Sequence, residues 1–130
     1  MNYDFSAIDR QMDMYIENAP DAYFALMLQL DTRDWYLKLH PEVPNTFTHL
    51  SQTACDEVWK RQAADYMKAA ITHIEEKYGD RVYGYFLLCG TTTEWFSHFD
   101  CEEANDIKNA GYKQWRQDEA AELPSLERLN

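Results

Sequence analysis

The sequence predicts an α/β fold built around one strand–helix–strand unit. Two apolar runs, at about 23–30 and 82–89, are nearly continuous in hydrophobic residues, as parallel strands covered on both faces are. The long stretch between them repeats apolar residues at intervals of three and four, the period of a helix. Only four glycines and four prolines occur in 130 residues, so little of the chain reads as linker. The length suits one domain, or a piece of one, over residues 1–130.

The first helix is expected to start near Ser6, whose hydroxyl is followed three residues on by Asp9 in a loose capping box. Ile8, Met12, Tyr15 and Ile16 then share a face, and Asn18-Ala19-Pro20 stops the helix. The first strand, Tyr23 to Leu30, runs into Asp31-Thr32-Arg33-Asp34 and then Trp35 to Pro41. Residues 41–53 read as a loop or short turns, longer than is usual in a compact domain, and such loops tend to carry function.

A helix over about Asp56 to Lys77 presents Trp59, Ala63, Tyr66, Met67, Ala70, Ile71 and Ile74 on one side. Asp56 and Glu57 suit its first turn, and Gly79 its C-cap. The second strand covers Val82 to Cys89. A third helix is expected from about Glu102 to Glu119, interrupted at Gly111. On their helix faces Trp59 and Trp115 read as core. Two parallel strands and three helices do not close a sheet. The pattern is therefore that of a segment of a larger α/β domain, or of a small unit that pairs with copies of itself through exposed strand edges.

Composition excludes several functions. A net charge of −11 repels phosphate backbones, so nucleic acid is not expected as a partner. No run reaches the roughly eighteen apolar residues of a membrane span, and Met1 to Arg10 lacks the pattern of a signal peptide; a cytoplasmic protein is expected. Three cysteines, Cys55, Cys89 and Cys101, form no disulfide framework and fit a reducing compartment. His98 and Cys101 lie three apart near Glu94, a spacing that invites a metal reading, but a buried thiol and a loop histidine explain it more simply. No metal is assigned.

In parallel α/β folds, ligands bind at the carboxyl ends of the strands. One loop there carries Asp31, Asp34, Trp35 and His40; the other carries Glu94, Trp95, His98 and Asp100. Glu94 stands just past a strand, beside Trp95 and Phe96. Burial against such rings disfavours a charged carboxylate, which is what a general acid needs. Tryptophan offers a flat apolar face of the kind sugar rings stack on, which fits Trp35 and Trp95. Asp31 and Asp34 could bind a sugar hydroxyl or cap the turn after the strand. His40, before Pro41, is expected to stabilise a turn.

The stretch "HIEEKYGDRVYGYFLLCGTTTEWF" (residues 73–96) resembles a segment of bacterial (β/α)8-barrel glycoside hydrolases of clan A, in the β-galactosidase group that includes family 42. "DAYFALMLQLDTRDWYLKLHPE" (residues 21–42) is similar to the strand and loop before it. The resemblance covers most of residues 3–100. It implies a partial TIM barrel, with these as the third and fourth strands, acting on β-linked sugars. It implies that Glu94 is the acid/base catalyst. The clan's nucleophile glutamate follows the seventh strand, to which nothing in this chain corresponds. Thr93 stands where clan members usually carry an asparagine that holds a sugar hydroxyl. The expected substrate-binding residues are therefore Trp35, Trp95, Thr93 and Asp31, with no cofactor. A full barrel takes roughly 250 residues, and retaining hydrolysis needs two carboxylates about 5–5.5 Å apart. The isolated chain is thus expected to be inactive. The other reading is a small self-associating carbohydrate-binding or structural module without catalysis.

Overall fold

The computed structural model describes residues 3–96 and 106–122. The chain is mixed α/β. Its helices are α1 (Ser6–Asn18), α2 (Asp34–Leu39), α3 (Leu50–Ala54), α4 (Glu57–Tyr78) and α5 (Asp106–Glu122). Its strands, β1 (Phe24–Gln29), β2 (Val82–Gly90) and β3 (Glu94–Phe96), form one sheet in the order β1-β2-β3. Both strand pairs are parallel. The two expected strands and the crossover helix are present. Two short helices and a third strand occupy stretches read as loop.

α1 starts at the expected residue, but by another device. Ser6 is its first residue rather than its cap, and Phe5 precedes it with no side-chain cap bond. Asp4 Oδ1 accepts the Ser6 N–H at 2.9 Å instead. Phe5 packs in the core and stacks on His73 at 4.9 Å. Tertiary packing thus claims the residue before the helix, and the acid one step earlier does the capping.

α2 ends at Leu39, and His40 before Pro41 has left the helical conformation (φ −131°, ψ 67°), since the proline ring disfavours helix in the residue before it. The stretch 41–53 is organised, not irregular. Asn45 Oδ1 accepts the Phe47 N–H, and the buried Thr53 hydroxyl reaches both the Pro44 and His49 carbonyls. α4 is capped by Asp56, whose Oδ1 accepts the Trp59 N–H at 2.8 Å. Gly79 is its C-cap, but in right-handed conformation (φ −59°), so the chain continues into a 3-10 turn over Gly79–Arg81. The Arg81 guanidinium then donates to the Pro20 carbonyl and ties the start of β2 to the turn after α1.

α4 covers one face of the sheet. Over the middle and amino half of the strands, Leu28, Ala70 and Ile74 are buried with Phe5, Ile8, Leu26, Val82 and Tyr85 packed around them. Toward the carboxyl ends a second cluster joins Leu30, Val43, Leu50, Trp59 and Cys89. The indole of Trp59 donates to the Leu30 carbonyl at 3.2 Å, so its burial leaves no unpaired N–H.

The opposite face is open. Met27 and Phe86 are register partners on it, and they are 69% and 56% exposed; Tyr83 is 73% exposed. The expectation of two covered faces is corrected here. An apolar residue on each side of a strand reports that both faces are hydrophobic, not that this chain supplies both covers. Trp115 is corrected too: it is exposed and lies against Tyr112 at 5.9 Å. Nor does Gly111 interrupt α5. A Cβ there would meet Cys55 Sγ at 2.7 Å, so the glycine lets the helix approach Cys55 closely. Among the described residues no helix is long and apolar enough to cross a membrane.

Candidate functional site at the carboxyl ends of the strands

β1 and β2 run side by side in the same direction, so the segments that follow them emerge at one edge of the sheet. Leu30 continues the ladder, its N–H donating to the Leu88 carbonyl at 2.8 Å. Asp31 comes next. Its side chain is only 1% exposed. Oδ1 accepts the Gly90 N–H at 2.7 Å and lies 3.4 Å from the Thr46 hydroxyl. Oδ2 has no hydrogen-bond partner, and its nearest cation is the Arg33 guanidinium at 3.8 Å. Asp31, read from the sequence as binding a sugar hydroxyl or capping the turn after the strand, is buried and bonded to backbone.

Thr32 and Thr46 are both buried and bond reciprocally. The Thr32 N–H donates to Thr46 Oγ1 at 3.0 Å, and the Thr46 N–H to Thr32 Oγ1 at 2.9 Å. Each threonine satisfies the other's backbone donor, as burial demands. The Thr91 hydroxyl donates to the Phe47 carbonyl at 2.7 Å, joining the end of β2 to the same loop. These bonds make one unit of the β1 end, the 41–53 loop and the β2 end.

Cys89 sits inside this unit with no exposed surface. Burial, and then the neighbouring Asp31 carboxylate, push its thiol up to about 12. It stays protonated at neutral pH and is no nucleophile.

After Gly90 the chain turns tightly. Gly90 has φ 87°, and the Thr93 N–H donates back to its carbonyl at 3.3 Å. Thr93 and Trp95 are also left-handed, at φ 66° and 60°. Such conformations cost an L-residue on the order of 1–3 kcal/mol each and persist where surroundings enforce them. Glu94 lies between these two. It pairs with Cys89 in the β2–β3 ladder and is exposed. The expected burial of its carboxylate is therefore corrected: Glu94 is exposed. Trp95 is 47% exposed, and its Nε1 donates to the Leu87 carbonyl at 2.8 Å, which pins the ring while leaving a face to solvent.

Trp35 follows β1 on α2. It is 59% exposed and meets Tyr36 edge-on at 5.9 Å. His40 lies against the Tyr36 ring at 4.8 Å, with Nε2 3.3 Å from Gln62 Nε2 and Nδ1 3.4 Å from Glu42, a structural role. Asp34 opens α2. The expectations for His98, Asp100, Cys101 and the helix start near Glu102 fall outside the described residues. Among the described residues no group of three or more histidine, cysteine or acid side chains is placed to hold a metal ion.

The strand ends thus bring Asp31 to Gly90 directly and leave Thr93, Glu94 and Trp95 on a tight turn beside them. Thr46 and Gly90 escaped the sequence reading. The one available signal was that a long loop rich in threonine followed the strand. Comparison of the chain with protein-family models, with curated proteins and with solved structures finds no match.

Proposed function

We propose that this chain is a stretch of a (β/α)8 glycoside hydrolase acting on β-linked sugars, similar to β-galactosidases, with Glu94 as its acid/base. One observation carries the reading. A parallel strand–helix–strand unit has its helix on one face, an uncovered apolar face bearing Met27 and Phe86 on the other, and Glu94 at the carboxyl edge. In a barrel, strand residues alternate between the helical layer and the barrel interior, and the reacting groups stand at the carboxyl ends. The open face is what the barrel interior would cover.

In that setting Glu94 protonates the leaving oxygen and later takes a proton from water. The exposed face of Trp95 supports a sugar ring, and Trp35 offers a second platform. The nucleophile comes from another strand, because Asp31 is buried and already accepts the Gly90 N–H. Among the described residues Asp31 therefore does not complete a two-carboxylate pair with Glu94. No cofactor enters the reaction.

The test begins with the intact mass of the gene product in its source cells. A product several-fold heavier than 130 residues account for is expected, and it should hydrolyse aryl β-glycosides. Glu94→Gln should abolish turnover of substrates with poor leaving groups; unchanged turnover would sink the assignment. The same open face supports a second reading, a self-associating sugar-binding or structural module. A product of only 130 residues that sediments as a defined oligomer would favour that reading, and a monomer with a cooperative melt would count against it.

A further inference from the structure

Asp31 lies at the reactive edge but has too little exposed surface to meet a substrate. What it holds is the start of the Glu94 turn. Its Oδ1 takes the Gly90 N–H at 2.7 Å, and the Gly90 carbonyl takes the Thr93 N–H at 3.3 Å. Thr93 and Trp95, on either side of Glu94, keep left-handed backbones that free L-residues leave. A bond from a backbone N–H to a buried carboxylate is charge-assisted and strong. With Oδ2 unbonded, the bond to Gly90 is the shortest one that carboxylate makes.

We infer that Asp31 is the positioning residue for Glu94, acting through the Gly90 N–H to hold the turn that presents the acid/base carboxylate. Its catalytic consequence rests on the glycosidase reading of Glu94. The clamp itself does not.

The test uses Asp31→Ala, Asp31→Asn and Glu94→Gln, with two readouts. In the full gene product, amide hydrogen exchange over 90–95 should quicken ten-fold or more in Asp31→Ala, relative to α4 amides in the same variant. Asparagine keeps an acceptor for Gly90 and should restore most of that protection. A uniform rise over the whole chain, or none at 90–95, overturns the clamp.

In the full gene product, Glu94→Gln should lose turnover steeply with poor leaving groups and little with good ones. Acid assistance matters only where the leaving group needs a proton. Asp31→Ala should show the same dependence more weakly, about 10- to 100-fold in kcat with KM within about two-fold, and Asp31→Asn should recover it. A loss equal for all leaving groups marks a merely structural residue and overturns the positioning role. So does full activity in Asp31→Ala where Glu94→Gln is dead. If Glu94→Gln is itself fully active, the glycosidase reading and the catalytic role of Asp31 fail together, while the exchange result still decides the clamp. Should Asp31→Ala not fold, Asp31→Ser, too short to reach Gly90, takes its place with the same outcomes.

Discussion

Each end of the sheet is tied by an aspartate, and the two aspartates work differently. At the amino end, Asp9 of α1 meets α4 through His73 at 2.7 Å and Lys77 at 3.1 Å. The Tyr78 hydroxyl donates to Asp13 at 2.8 Å in the same cluster. These partners, an imidazole, an ammonium and a phenol, lie on a half-open seam, set above the apolar cluster of Leu28, Ala70 and Ile74. At the carboxyl end, Asp31 is buried and its close partner is a neutral backbone N–H. Water screens the first tie and not the second. An ion pair at a wet seam adds little, because both charges are solvated when it breaks. A buried carboxylate that loses its donor keeps its desolvation cost. The amino end should therefore depend on apolar packing, and the carboxyl end on individual polar bonds.

Ile74→Ala should have the largest effect, about 2–5 kcal/mol of stability in a denaturant melt, because it opens a cavity at a side chain with no exposed surface. A loss under 1 kcal/mol would mean that apolar packing does not dominate the amino end. Asp31→Ala should cost about 1.5–3 kcal/mol in the same melt. If it proved neutral, the contrast between the two ends would collapse.

Asp9→Asn should cost less than Asp31→Ala, and its cost should depend on pH. The His73 hydrogen bond, followed by the one to Lys77, holds the Asp9 carboxyl below its ordinary value of 3.8. A depressed carboxyl stabilises the fold above the unfolded value and loses that contribution as pH falls through the folded one. The difference between wild type and Asp9→Asn should thus be full at pH 5 and shrink below about pH 3.8. Lys77 is shifted upward, first by its bond to Tyr78 and then by Asp9, so its share persists at neutral pH and fades only in strong alkali. A gap between the two proteins that is flat from pH 2 to 6 would remove Asp9 from the account.

The smallest effect concerns Cys89. In the folded chain at pH 8, iodoacetamide should label the partly exposed Cys55 and spare Cys89, which is fully buried with its thiol pushed to about 12. Asp31→Ala removes the charge that helps raise the thiol, so Cys89 labelling should rise modestly. Burial is the larger cause, and a steep rise would mean that the carboxyl end had opened altogether.

Phe86 and Leu28 show what local pattern reports and what it leaves out. Both stand in apolar strand runs, and nothing within five residues of either tells that Leu28 is buried while Phe86 faces out. Trp59 and Trp115 repeat the contrast on helices, since both sit at helical spacing and only Trp59 finds a sheet to pack on. Asp31 and Glu94 invert their expected places: the acid beside small polar residues is buried, and the acid beside rings is exposed. Asp31 is held by Gly90 and Thr46, 59 and 15 residues away, and no local window contains those partners.

The sequence by itself determined the order of the main elements, the ends of β1, α4 and β2 to within about two residues, and the edge where Asp31 and Glu94 emerge. Those features follow from hydrophobic period, turn chemistry and strand direction, all written in neighbouring residues. Only the tertiary structure decided which sheet face α4 covers, which tryptophans are core, how the 41–53 loop is stitched to both strand ends, and that Asp31 supports the turn on which Glu94 stands. Burial and buried hydrogen bonds join residues far apart in the chain, and distance along the sequence carries no record of them until the strands have paired.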